Sequence, residues 1–200
     1  MFFVVAKFLK NITGVEVLSN GLSTDIDYGN YSESDLSNVS TYFFKVAAFN
    51  EIVKRATQDF KDVNLLWLDA GNTISHDLGI IFDIISHDEY FFVDHSDVNF
   101  IYKNAENTLA NCLSPKMFDN AELCLRKPTS LESKKPYIKA NCFGLKLSSS
   151  RMRNLIDQHR SICTKTNCLK DPRVIKGDIK FFWNKYHRSD ESCFNYSLGR

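Results

Sequence analysis

The stretch VNLLWLDAGNT, residues 63–73, constrains the fold of this chain most strongly. Val63 to Leu68 is apolar except for Asn64, a pattern that predicts a strand buried on both faces of a mostly parallel sheet. The residues from Asp69 to Thr73 have the composition of a turn. In open α/β folds, ligands bind at the carboxyl edge of the sheet, so Asp69 is predicted to lie at a binding edge.

Helical and extended patterns alternate along the rest of the chain. One apolar helical stripe is predicted from the spacing of Tyr42, Val46, Phe49, Val53 and Ala56. Asp77 is predicted to cap a second helix, which continues through Ile85. Ser150 is predicted to cap a third helix, whose apolar face contains Met152, Leu155, Ile156 and Ile162. Further strands are predicted over residues 90–93 and 137–147, and a long loop over residues 19–40. We therefore predict one α/β domain over residues 1–200, a three-layer sandwich whose central, mostly parallel twisted sheet carries helices on both faces.

The charge of the chain is unevenly distributed. Residues 1–100 contain 6 Lys and Arg against 15 Asp and Glu, whereas residues 101–200 contain 19 against 9. An acidic half joined to a basic half suits a site that binds an anion, although two solvated faces explain the same asymmetry. No run approaches the roughly 18 apolar residues of a membrane span, and no basic cluster or module indicates nucleic-acid binding.

The cysteines and the glycosylation sequons leave the compartment open. Six cysteines allow fifteen pairings; Cys112 with Cys124 and Cys163 with Cys168 are close enough in sequence to pair locally. The absence of a CxxC pair argues against a structural zinc site. Sequons at Asn11, Asn30, Asn38 and Asn195 favour a secretory lumen over the cytoplasm only slightly, because an Asn- and Ser-rich chain produces such triplets by chance.

Four segments together resemble a known family. The turn LLWLDAGNTI resembles the DxD turn of glycosyltransferase-A-type enzymes, and is similar to that of HtrL/YibB-like and related eukaryotic proteins. Upstream, the helix with FFK at 43–45 resembles the segment that carries a Lys near the nucleotide. YIKANCFGLK at 137–146 and KYHRSDES at 185–192 resemble a later strand and the terminal His-Arg-x-Asp-Gln-Ser segment. The resemblance covers roughly residues 40–195, with the N-terminal part shortened.

The resemblance implies transfer of a sugar from a nucleotide-sugar donor to a hydroxyl of a glycan, protein or lipid acceptor. It assigns donor binding to Lys45, Asp69, Gly71, Asn72 and Asn141, catalysis to His187, Arg188 and Asp190, and a divalent metal, Mn or Mg, to Asp69 and His187. Two departures stand against the pattern. Gly71 replaces the second carboxylate of the DxD turn, which removes one metal ligand, and Glu191 stands where Gln is usual.

Other interpretations compete with this one. DAGNT also resembles the nucleophile loop of haloacid-dehalogenase-type phosphatases, with Asp69 as nucleophile and Thr73 on the phosphate. A degenerate DxD turn is equally compatible with a nucleotide- or glycan-binding module that has no turnover. Each residue also has a structural interpretation, such as Lys45 lying along its helix, or His187 and Arg188 pairing with acidic residues on a surface helix.

Overall fold

A computed structural model describes residues 28–38, 42–59, 62–69, 72–94, 121–123, 125–126, 129, 138–170 and 189–198. These ranges contain five α-helices and three strands, in the order α1 (Glu33–Ser37), α2 (Phe43–Asp59), β1 (Asn64–Leu68), α3 (Gly79–Asp88), β2 (Tyr90–Asp94), β3 (Ile138–Lys146), α4 (Ser150–Lys165) and α5 (Ser189–Leu198). Single 3₁₀ turns lie at Ala121–Leu123 and Cys168–Lys170. Within these ranges, no helix is long and apolar enough to cross a membrane.

The three strands form one sheet in the order β1-β3-β2, and β3 runs antiparallel to both neighbours. Leu68 pairs with Cys142 at one end of the β1–β3 ladder and Asn64 with Lys146 at the other. The β2–β3 ladder has an irregularity between Phe92 and Asp94. The carboxyl ends of β1 and β2 therefore both point toward the start of β3, with Leu68 opposite Cys142 in the middle of β3 and Asp94 opposite Ile138 at its start.

This sheet contradicts the predicted fold class, because the described strands form a small antiparallel sheet and not a central, mostly parallel one. An apolar run indicates that a strand is buried, but it does not indicate whether the neighbouring strands are parallel or antiparallel to it. Burial in β1 also differs from the expectation, since only Trp67 is buried and the other four residues are partly exposed. The predicted strands themselves are confirmed to within one or two residues at each end.

The helices follow the predicted apolar faces except at Tyr42, which precedes α2 and is exposed. Val46 and Phe49 of α2 are buried, and so are the four apolar residues predicted for the face of α4. The residue that caps α4 is Ser149 and not Ser150, because the Ser149 hydroxyl accepts from the Met152 amide. Before α3, the Asp77 carboxylate accepts from the Gly79 amide at 2.9 Å. The predicted loop 19–40 contains α1, whose N-terminus is closed by a capping box between Ser32 and Asp35.

Two hydrophobic clusters form the core, and α5 contributes to both. The first cluster joins α2, the end of α4 and α5 through Tyr31, Phe43, Val46, Ala47, Ile162, Cys163, Cys168, Leu169, Cys193 and Tyr196. The second lies between α2, the sheet, α4 and α5, and contains Phe49, Trp67, Phe143 and Phe194. Phe143 and Phe194 have ring centroids 4.7 Å apart. The core thus depends on chain segments that are distant in sequence.

The side chain of the sequon residue Asn195 is buried and hydrogen-bonded inside the protein. The Asn195 side chain is buried, its Nδ2 donates to the Ile138 and Glu191 carbonyls, and its Oδ1 accepts from the Ile138 amide at 2.7 Å. A glycan on this nitrogen is incompatible with these contacts. Asn38 is exposed, and the sequon at Asn11 lies outside the described residues.

Gly144 allows α3 to pack against the sheet. A Cβ atom at this position would lie 2.2 Å from Ile85 Cδ1 and 2.6 Å from Ile85 Cγ1. We expect Gly144→Ala to lower the free energy of unfolding by about 1–3 kcal/mol, because the fully buried Ile85 must leave its rotamer or move α3. Urea unfolding followed by circular dichroism measures this loss.

Gly79→Ala is the matched control. Its added Cβ meets nothing nearer than Asp77 Oδ1 at 3.4 Å, and the residue is exposed. We expect its free energy of unfolding to change by no more than about 0.5 kcal/mol. Equal unfolding midpoints for the two variants would contradict the close contact between Gly144 and Ile85.

Candidate functional site

An ion pair between α2 and the end of β1 forms the centre of the candidate site. Lys45 Nζ lies 3.0 Å from Asp69 Oδ2 and donates a second hydrogen bond to the Ala140 carbonyl at 3.1 Å. Asp69 Oδ1 accepts from the Trp67 indole at 2.8 Å. The carboxylate is therefore held through both of its oxygens. The Lys45 side chain is 12% exposed and that of Asp69 35%, so the carboxylate is the part of the pair that solvent reaches.

The local structure explains this arrangement. Alternate residues of a strand face the same side, so Trp67 and Asp69 share the face that α2 covers. Phe49 packs edge-on against Trp67, with ring centroids 5.5 Å apart, and this contact sets the position of α2 above the sheet. Lys45 lies one helical turn before Phe49 and therefore reaches the end of β1.

The turn after β1 is tied to the start of β3. The Asp69 amide donates to the Asn141 carbonyl at 2.9 Å. Asn72 Nδ2 donates to the same Asn141 carbonyl at 2.8 Å and to the Asp69 carbonyl at 3.0 Å. The Asn72 side chain thus connects the turn that carries Asp69 to the central strand β3. The Asn141 side chain is exposed, and the contribution of this residue to these contacts is its backbone.

Side chains of α5 bind the first residues of β3 as a strand partner would. Glu191 Oε2 accepts from the Ala140 amide at 3.0 Å, and the Asn195 amide group bonds both backbone groups of Ile138. Ala140 therefore touches Glu191 through its N–H and Lys45 through its carbonyl. The C-terminal helix and the ion pair meet at one residue of the central strand.

Close packing lies behind the ion pair. A cavity of about 10 Å³ adjoins Lys45, and its walls include Phe49, Trp67, Phe143 and Phe194. This volume holds about one water molecule. A ligand must therefore approach from the solvent-exposed side of Asp69.

The pKa of the Cys142 thiol depends on the charged groups of the site. Partial burial raises the pKa of the Cys142 thiol, the negative charge of Asp69 raises it further, and Lys139 acts in the opposite direction. The field of the Asp69 carboxylate therefore extends across the β1–β3 ladder despite its pairing with Lys45.

The described residues do not fit the predicted divalent metal at Asp69. Mn and Mg require several oxygen ligands, but both Asp69 oxygens accept hydrogen bonds, one of them from an ammonium group. Among the residues that the structure describes, the one group of three or more possible ligand atoms from His, Cys, Asp or Glu is a set of three buried cysteines. The ammonium of Lys45 is the positive charge that the structure places at Asp69 Oδ2.

The structure brings together four of the residues predicted for donor binding: Lys45, Asp69, Asn72 and Asn141. Gly71, His187 and Arg188 lie outside the described residues. Asp190 is the second residue of α5, and only its backbone is described. Sequence reasoning missed the contacts of Trp67 and Ala140. It named Glu191 only as a departure, although that carboxylate binds β3.

Comparisons of the chain with protein families, with curated proteins and with solved structures each found no match. The interpretation of the site therefore depends on its own geometry.

The reactivity of Cys142 tests the electrostatics of the site. Alkylation consumes the thiolate, so its rate should reach half of its maximum at a pH above the usual thiol pKa of 9.0. We expect Asp69→Asn to lower the pKa and to raise the alkylation rate at pH 8 several-fold. Lys139→Gln should have the opposite effect, because it removes a positive charge that stabilises the thiolate.

Peptide mass spectrometry after timed exposure to iodoacetamide isolates Cys142 from the other cysteines. Asp83→Asn removes an exposed carboxylate on α3 and serves as the control, with no change expected. Equal rates for Asp69→Asn and Asp83→Asn would contradict the proximity of Asp69 to Cys142.

Proposed function

We propose that the edge formed by Lys45, Asp69, Asn72 and the start of β3 binds a nucleotide-sugar donor, and that the chain transfers the sugar to a hydroxyl acceptor. The observation that carries the proposal is the double contact of Lys45 Nζ with Asp69 Oδ2 and the Ala140 carbonyl. Residues predicted from the sequence to bind the donor meet at this edge, although they are distant in the chain. Lys45 and Asp69 are 24 residues apart, and Asn72 and Asn141 are about 70 residues apart.

The charges of the pair suit a diphosphate and a sugar. Without a ligand, the ammonium and the carboxylate neutralise each other, with the Lys45 side chain 12% exposed and the Asp69 side chain 35% exposed. A diphosphate offers Lys45 more negative charge than a single carboxylate does. Asp69 then accepts hydrogen bonds from ribose or sugar hydroxyls, while the Trp67 indole holds its second oxygen.

Glycosyl transfer requires two roles of the described residues, which are to stabilise the leaving diphosphate and to accept the proton of the acceptor hydroxyl. The bond between the anomeric carbon and the diphosphate oxygen breaks, and a bond from that carbon to the acceptor oxygen forms. Lys45 stabilises the negative charge that grows on the leaving diphosphate. The acceptor hydroxyl loses its proton to a carboxylate, and Asp190, at the start of α5, is our proposed base. Glu191 already accepts from the Ala140 amide and is assigned to positioning.

Donor binding should not require a metal, because Lys45 supplies the positive charge. We expect saturable binding of UDP- or GDP-sugars, measured by isothermal titration calorimetry in EDTA, with Lys45→Ala weakening it by about 10- to 100-fold. This range corresponds to the loss of a hydrogen bond to a charged group. Asp69→Ala should abolish donor binding and leave the circular dichroism spectrum unchanged.

Lys54→Ala is the matched control, since Lys54 is an exposed residue of the same helix. Unchanged binding in Lys45→Ala, or a requirement for Mn²⁺, would contradict the proposed role of Lys45. Analysis of the products with a hydroxyl acceptor separates the three functions: nucleoside diphosphate and a glycoside indicate transfer, inorganic phosphate indicates the phosphohydrolase alternative, and binding without products indicates a binding module.

A further inference from the structure

Three buried thiols lie together where the end of α4 meets α5. Cys163, Cys168 and Cys193 are each 0% exposed, and their sulfur atoms all lie within 4.8 Å of one another. Cys168 Sγ and Cys193 Sγ are the close pair, 2.9 Å apart. This cluster is separate from the Lys45–Asp69 site, and the proposed function does not use it.

The three thiols differ in their surroundings. Cys163 lies on α4 one turn after His159, whose Nε2 is 3.5 Å from the Cys163 sulfur. Cys168 belongs to the 3₁₀ turn after α4, and Cys193 belongs to α5, 25 residues further along the chain. The structure therefore brings Cys168 and Cys193, from different segments, into the closest contact, while Cys163 hydrogen-bonds with Cys193 and also lies beside an imidazole.

A metal is the first alternative for such a cluster, but charge and geometry argue against it. Sulfur atoms around a tetrahedral zinc are about 3.8 Å apart, because each Zn–S bond is about 2.3 Å. The Cys168–Cys193 contact is about an ångström shorter. Three thiolates around Zn²⁺ also carry a net negative charge, which is costly in a cluster whose other members are Tyr31, Phe43, Val46, Ala47, Ile162, Leu169 and Tyr196.

A disulfide suits the same surroundings. It carries no charge, and its S–S bond of about 2.05 Å requires the two sulfurs to move together by less than one ångström. Burial, together with the neighbouring sulfurs of Cys163 and Cys168, raises the pKa of Cys193 well above its usual value, so Cys193 is a neutral thiol in the reduced protein. Such a thiol reacts slowly once the fold has closed around it.

We propose that Cys168 and Cys193 form a disulfide bond that fastens α5 to the end of α4, while Cys163 stays reduced beside His159. The oxidant is a disulfide of a small thiol or of a protein oxidant. Two thiols lose two protons and two electrons, one S–S bond forms, and the oxidant leaves as two thiols. Because the thiols are buried, exchange takes place during folding, before α5 docks.

The bond lies in the first hydrophobic cluster, and it involves the same helix, α5, that reaches the candidate site. Cys193 lies two residues after Glu191 and two before Asn195, the residues that hold the start of β3. Fixing Cys193 therefore limits the movement of both side chains. The inference does not depend on the proposed function, since it concerns thiols alone.

Peptide mapping of the wild-type chain tests the pairing. The chain is unfolded and reduced, refolded in a mixture of reduced and oxidised glutathione, denatured with N-ethylmaleimide, digested and analysed by mass spectrometry. We expect a cross-linked peptide pair containing Cys168 and Cys193, and a maleimide adduct on Cys163. Adducts on both Cys168 and Cys193, a cross-link that includes Cys163, or equimolar zinc in the refolded protein would overturn the proposal.

Serine variants test the contribution of the bond to stability. A disulfide that closes a loop of this length should raise the melting temperature by roughly 5–10 °C. We expect dithiothreitol to lower the melting temperature by that amount in the wild type and in the control Cys163→Ser. Dithiothreitol should not change the melting temperature of Cys168→Ser, Cys193→Ser or the double variant. These three variants should have the same melting temperature. A dithiothreitol effect that persists in Cys168→Ser would contradict the assignment.

Discussion

The central position of β3 is the constraint on which the rest of the structure depends. This strand supplies backbone partners to β1 and β2, to the turn that carries Asp69, to the ammonium of Lys45 and to two side chains of α5. Buried backbone groups must be paired, so removing any of these partners leaves an orphaned group at the sheet. The candidate site exists because α2, the turn after β1 and α5 all complete the hydrogen bonding of the first residues of a single strand, β3.

The Lys45–Asp69 pair changes how the conspicuous carboxylate is understood. Viewed in the sequence, an Asp after an apolar strand followed by Gly indicates a metal or phosphate ligand. In the structure, an ammonium group and an indole already bind that carboxylate, so it orients a cation instead of recruiting one. The missing second carboxylate at Gly71 is consistent with this arrangement, because a lysine needs one counter-ion whereas a divalent cation needs several ligands.

The strands and the helices α2, α3 and α4 were predictable from the sequence, whereas α1, which lies in a predicted loop, and the direction of the strands were not. Apolar spacing identifies α2 and α4 because burial at Val46, Phe49, Met152 and Leu155 repeats with the helical period. The same reasoning cannot orient β3, since its pairing with Trp67 and Phe92 through Phe143 depends on packing between distant segments. Lys45 and Asp69 were named from sequence, but their mutual contact, the role of Ala140 and the meeting of Cys168 with Cys193 required three dimensions.

The position of α5 in the chain has a consequence for biosynthesis. This helix follows every other described element, yet it supplies Cys193 and Tyr196 to one core cluster and Phe194 to the other. A nascent polypeptide that lacks it exposes the apolar surfaces of both clusters while it remains attached to the ribosome. Closure of the two core clusters therefore has to wait until α5 has been synthesised, and the intermediate that precedes it is a natural client for chaperones that shield aromatic surface.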